Sequence, residues 1–136
     1  MSTLIFWPVV VLVFWTFVVL LLIPRARFKA GRERRVRAAD FAYGESGNVP
    51  DDVRLPNRNF MNLLEAPVLF YVACVTLYVI GKVDGWALGL AWAYVALRIA
   101  HSFVHLTYNN VFHRFRVYGA SVAALIALWV RIAVAL

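Results

Sequence analysis

Cysteine is all but absent from this chain: Cys74 is the only one in 136 residues. A lone thiol excludes an intrachain disulfide, and no metal-ligand spacing surrounds it, so a buried bystander is expected. Acid is scarce as well, with seven Asp and Glu against fourteen Lys and Arg. Charged residues make up only 15% of the chain, where a soluble domain carries about 25%. There is no glycine-rich phosphate loop, no nucleophile–base signature, no internal repeat, and no low-complexity tract beyond one basic run. His101 and His105 stand at i, i+4, but Ser102 occupies the position where a HExxH helix carries its glutamate. No metal site is therefore read.

What the chain does have is apolar length. Hydrophobic residues account for 63% of it, against about 45–50% in soluble domains. The run from Leu4 to Ile23 is uncharged and matches the roughly 20 residues a bilayer's hydrocarbon core requires. Further apolar runs cover Pro67–Ile80, Trp86–Leu97 and Val117–Val130. The expected class is all-α, a single integral membrane four-helix bundle. Its spans lie at about residues 4–23, 58–80, 86–107 and 116–135, with a long link at 24–57. The leading "MST" has no Lys or Arg, no small-residue cleavage site follows the first run, and "PRARFK" closes it as a stop-transfer pattern. The first span therefore reads as a retained anchor. The tight "GKVDG" makes the second and third spans antiparallel neighbours.

The net charge is +7 and the pI about 10.2. Nucleic acid is not the expected partner, because the positive charge is concentrated directly after the first span: Arg25, Arg27, Lys29, Arg32, Arg34, Arg35 and Arg37. That placement follows the positive-inside rule and suits anionic lipid headgroups. The first and third links are expected to face the cytoplasm, with both termini opposite. Arg131, near the C-terminus, is expected to snorkel to the far interface.

Polar side chains inside the spans cost about 2.5–3.5 kcal/mol each at the bilayer centre and normally face protein or water. Arg58, Asn62 and Glu65 stand at i, i+4 and i+7, one face of a helix, and Pro67 is expected to kink that span just past Glu65. Tyr94, Arg98, His101, His105 and Tyr108 form a second stripe on the third span. At a rise of about 1.5 Å per residue, Glu65 and His101 both lie about 10 Å in from the cytoplasmic end and Arg98 about 15 Å. A buried polar cluster of Asn62, Glu65, Arg98, His101 and His105 is expected. It either pairs Glu65 with Arg98 to hold helices together, or binds a polar anion drawn in past Arg58, Arg114 and Arg116. Spacing leaves both readings open.

"RNFMNLLEAPVLF" resembles the second-helix signature of the MAPEG family, the membrane-associated proteins in eicosanoid and glutathione metabolism. Arg58, Asn62, Glu65, Pro67 and Phe70 fill its pattern, and "RIAHSFVHLTYNNVFHRFRVYG" looks like the region joining the last two helices of bacterial members. The resemblance covers nearly the whole chain. It implies a homotrimer, multi-pass in a bacterial inner membrane, that uses glutathione as co-substrate on a small lipophilic electrophile in a transferase or peroxidase reaction. It also implies that Arg58, Asn62 and Glu65 hold glutathione, with His105, Tyr108 and Arg114 beside them. Arg116, less favourably Arg114, would stabilise the thiolate. The pattern departs from the leukotriene-synthase-like members: one residue, Ala66, separates Glu65 from Pro67, and His105 and Asn109 stand where those members carry tyrosines. The family also has members without demonstrated catalysis, so a structural or accessory subunit stands as the alternative.

Overall fold

A computed structural model describes residues 2–136. It contains five α-helices: α1 (Phe6–Arg32), α2 (Asp51–Leu63), α3 (Ala66–Val79), α4 (Gly85–Leu106) and α5 (Val111–Ala135). Short 3-10 turns precede α1 (Ser2–Ile5) and α2 (Ala38–Phe41). Taking α2 and α3 as one segment, four helical segments are long and apolar enough to cross a membrane. Helix is the expected solution there, because every backbone N–H and C=O must be satisfied within the segment.

The helices run past the apolar stretches that announce them. With 27 residues, α1 is about 40 Å long and exceeds a hydrocarbon core of about 30 Å. Its last two turns carry the basic run out of the apolar zone. It stops where Arg34 adopts a left-handed φ of 59°, and the Arg35 N–H turns back onto the Ala30 carbonyl. At the far side of the link, α2 begins at Asp51, with Asp51 and Asp52 favourably placed in the first turn. Residues 51–57, read as link, are therefore helical. The start of α5 is also earlier than the apolar run suggests, because Asn110 caps it by accepting from the His113 N–H.

The second span is broken. Leu64 and Glu65 leave the helix, with Glu65 at φ −89° and ψ −99°, and Pro67 sits in the first turn of α3. Proline lacks an N–H and its ring collides with the carbonyl four residues earlier, that of Leu63. The chain therefore opens at residues 64–65, ahead of the expected kink. In the first turn of α3 the missing N–H costs nothing.

Packing is most extensive between α4 and α5, then between α1 and α2, with further contacts of α1 on α4 and α3 on α5. One core runs through the bundle, from Leu12 and Val19 on α1 to Phe70 and Leu77 on α3, Tyr94 on α4 and Leu128 on α5. Phe70 and Tyr94 stack at 4.6 Å between ring centroids. Cys74 is free and buried in this core. A second, smaller core of Ala30, Val36, Val49 and Val53, with Phe41 against it, orders the link.

Candidate functional site

Toward the end of the bundle that carries the basic link, α2, α4 and α5 surround a cavity of about 590 Å³. Arg58, Met61 and Asn62 come from α2, Glu65 from the break, His101 and His105 from α4, and Val111, Arg114, Phe115 and Tyr118 from α5. The break at residues 64–65 matters here. It ends α2 at the cavity while leaving Glu65 still facing it.

The wall is held by polar contacts between helices. The Asn59 side-chain amide and Nδ1 of His105 are hydrogen-bonded at 3.1 Å. The Arg98 guanidinium donates to both the side-chain and the backbone oxygen of Asn62. Arg98 is fully buried and lies behind the cavity wall, its guanidinium 5.3 Å from the ring of Tyr118. His101 packs between the rings of His105 and Tyr118, with centroids 5.9 and 5.6 Å away. Arg114 is steadied by its bond to the Asn109 side chain at 2.8 Å.

The expected Glu65–Arg98 pair is not formed. Among the described residues no carboxylate lies within 4.0 Å of Arg98; the ion pairs are Arg27–Glu45, Arg35–Glu33, Arg35–Asp52 and Arg131–Asp84. Nε and Nη1 of Arg98, Nδ1 of His101 and Oγ of Ser102 are buried without a hydrogen-bond partner among the described residues. A guanidinium taken from water without a carboxylate is costly, and its field extends into the neighbouring cavity with little screening. Arg58, Arg98 and Arg114 thus bias the site toward anions, with Glu65 the single acid on its wall.

Of the residues singled out from the sequence, the fold gathers Arg58, Asn62, Glu65, His105 and Arg114 at the cavity. Two are not brought there. Tyr108 is exposed and engages Nδ1 of His113 at 3.1 Å, and Arg116 is exposed, two residues from Arg114 and so on the other side of α5. Tyr118 and Asn59 join the site without belonging to either polar stripe. Tyr118 follows Arg114 at i+4, a relation that could have found it. Asn59 stands next to Arg58 and so falls off the stripe that Arg58, Asn62 and Glu65 define.

Among the described residues no group of three or more His, Cys, Asp or Glu could hold a metal ion. The volume suits a small polar ligand, since such pockets span roughly 300–1,000 Å³. The family model for MAPEG matches residues 5–134. No curated protein and no solved structure matches the chain.

Proposed function

Because the chain belongs to the MAPEG family of membrane proteins, we propose that it is a glutathione-dependent transferase or peroxidase acting on lipophilic electrophiles. The observation that carries this reading is the charge pattern of the cavity. Two guanidiniums, Arg58 and Arg114, and one carboxylate, Glu65, share its wall. Glutathione carries two carboxylates and one ammonium, the complementary set, and charge-assisted contacts of this kind are the strong ones. The Asn62 amide oxygen is taken by Arg98, and its amide NH2 would be left to donate to the ligand.

In this reading glutathione supplies the sulfur nucleophile. The protein's part is to favour thiolate over thiol with a nearby positive charge. Within one protomer the α5 guanidinium on the cavity wall is that of Arg114; Arg116 faces outward and would reach the thiol only at a boundary between subunits of a homotrimer. The lipophilic substrate would arrive through the bilayer.

Titrating glutathione into detergent-purified protein, followed by calorimetry, tests the reading. Saturable binding with a thiolate absorbance that Arg114→Gln abolishes supports it; the same absorbance lost instead in Arg116→Ala moves the role to the subunit boundary. A silent titration favours a second reading. In that one the Arg98–Asn62 and Asn59–His105 bonds serve only to join α4 to α2, in a structural or accessory subunit.

A further inference from the structure

A second pocket, of about 700 Å³, lies where α1 leaves the apolar zone. Ile23, Phe28 and Phe41 give it apolar walls, and Arg27, Arg32 and Arg37 surround them. Its depth follows from the sequence. The uncharged run ends at Ile23 and the pocket starts there, at headgroup level for a helix that spans the bilayer. The face of α1 that enters it continues down the helix as an exposed apolar stripe at heptad spacing, Trp7, Phe14, Leu21 and Phe28, with Phe28 itself 71% exposed.

The rim has charge to spare. Arg27 approaches Glu45 at 3.9 Å and packs over Phe41, but Arg32 and Arg37 are exposed and form no ion pair among the described residues. The chain itself has little acid to answer them. Glu33 and Asp52 bind Arg35, Asp40 accepts from the Arg37 N–H and Ser46, Asp84 binds Arg131, and Glu65 faces the other cavity. Of seven acids only Asp51 is left, so a second copy of the chain is a poor complement to this rim. The anion must come from outside the protein, and at this depth it is attached to hydrocarbon.

We propose that this pocket binds one anionic phospholipid from the bilayer. Its phosphate lies among Arg27, Arg32 and Arg37, its glycerol and first methylenes fill the apolar walls, and an acyl chain follows the α1 stripe toward Phe14. The site is separate from the glutathione cavity and does not depend on that reading. It also differs from diffuse attraction of a basic segment to an anionic surface, because a formed pocket discriminates among arginines on one helix.

The test uses the full-length protein in phosphatidylcholine nanodiscs doped with phosphatidylglycerol, extracted into detergent, with retained lipid per chain read by mass spectrometry. Wild type should retain phosphatidylglycerol in preference to phosphatidylcholine. The double variant Arg32→Gln/Arg37→Gln should lose about 30-fold in retention, from roughly one interfacial charge contact per arginine. Arg25→Gln/Lys29→Gln removes the same charge from α1 outside this pocket and should lose under about threefold. Gly31→Leu keeps every charge and fills the pocket. A Cβ added there meets no neighbouring atom within 4 Å and the rest of the side chain has the pocket to occupy, so the fold should tolerate it while phosphatidylglycerol retention falls. Unfolding temperatures in lipid-free detergent confirm that each variant is folded. Equal losses in the two double variants, unchanged retention in Gly31→Leu, or equal retention of both lipids would overturn the proposal. So would a cross-link from position 28 to a second copy.

Discussion

Two arginines join helices in this bundle, and they do so differently. Arg131, near the end of α5, binds Asp84, which also caps α4 by accepting from the Ala87 N–H at 2.8 Å. Both side chains are partly exposed, and each charge meets its opposite. Arg98 lies 14 residues beyond Asp84 along α4, about 21 Å away by helical rise and fully buried; its hydrogen bonds among the described residues go to the amide and carbonyl oxygens of Asn62, and its guanidinium lies over the Tyr118 ring. The first arrangement is complete within the chain. The second leaves a positive charge inside the protein beside an open cavity. A fold that needed only a clamp between α2 and α4 could have used a neutral residue at position 98, because replacing buried charges by apolar side chains is often neutral or stabilising. The difference separates an end where the charges are paired within the chain from an end where a buried guanidinium has no carboxylate partner among the described residues.

Exchanging the buried charge should break the comparison most sharply. Arg98→Met leaves Asn62 without its donor and removes the field behind the cavity. On the proposed reading, glutathione affinity should fall by about 1.5–3 kcal/mol, roughly 10- to 150-fold, while the unfolding temperature in detergent holds or rises. A large fall in unfolding temperature with affinity unchanged would make Arg98 a clamp like Arg131. Next in size, Asn62→Ala should weaken glutathione binding by about 1–3 kcal/mol and also lower stability, since it strands the Arg98 guanidinium. At the opposite end the signs should separate. Asp84→Ala loses a helix cap and a partly exposed ion pair, about 1–2 kcal/mol of stability in all, with glutathione affinity unaltered. Asp84→Asn keeps the cap and should recover most of that loss. Unfolding monitored by circular dichroism alongside calorimetric titration reads all three.

The smallest effect sharpens the cavity's end of the comparison by testing whether its link is a unit of its own. The Arg37 N–H and the Ser46 hydroxyl hold the Asp40 carboxyl below the usual carboxylate range, the backbone bond contributing most. A lowered value means that stability is present above the unfolded-state range, near pH 4, and lost as pH falls through the folded one. The protection factors of the Arg37 and Ser46 amides should therefore fall on acidification below about pH 4, with those of α4 and α5 unaffected. Asp40→Asn should remove the pH dependence.

Much of this was legible because the bilayer narrows the choices. Uncharged runs of spanning length have to be helices, and polar residues recurring at helical spacing have to share a face. Arg58, Asn62, Glu65 and His105 could be nominated on those grounds and do line one cavity. The link was less legible. Ala30, Val36, Val49 and Val53 are scattered over more than twenty positions with no period between them, yet they meet in one small core. No local pattern announces a cluster that only chain reversal creates.

Depth along the chain puts Glu65 within reach of Arg98 if the helix runs unbroken as far as Glu65, with the kink just past it. Pro67 breaks that helix at residues 64–65, so Asn62, at the end of α2, is the residue that meets Arg98. The resemblance favours Arg116 over Arg114 as the thiolate stabiliser, but of the two it is Arg114 that lines the cavity. Helical phase, set by the Asn110 cap that starts α5, puts one on the cavity and the other outside.

Taken alone, the sequence determined the environment and the segments: an apolar, acid-poor chain crossing a membrane as helices, with its basic charge after the first span. Hydrophobicity and backbone satisfaction are local or nearly local properties, which is why composition and period suffice for them. Which polar groups pair, and which are left unpaired, was decided only by the tertiary structure. A hydrogen bond requires about 3 Å between atoms that can be dozens of residues apart, and a break of two residues at Leu64–Glu65 is enough to change which oxygen Arg98 meets.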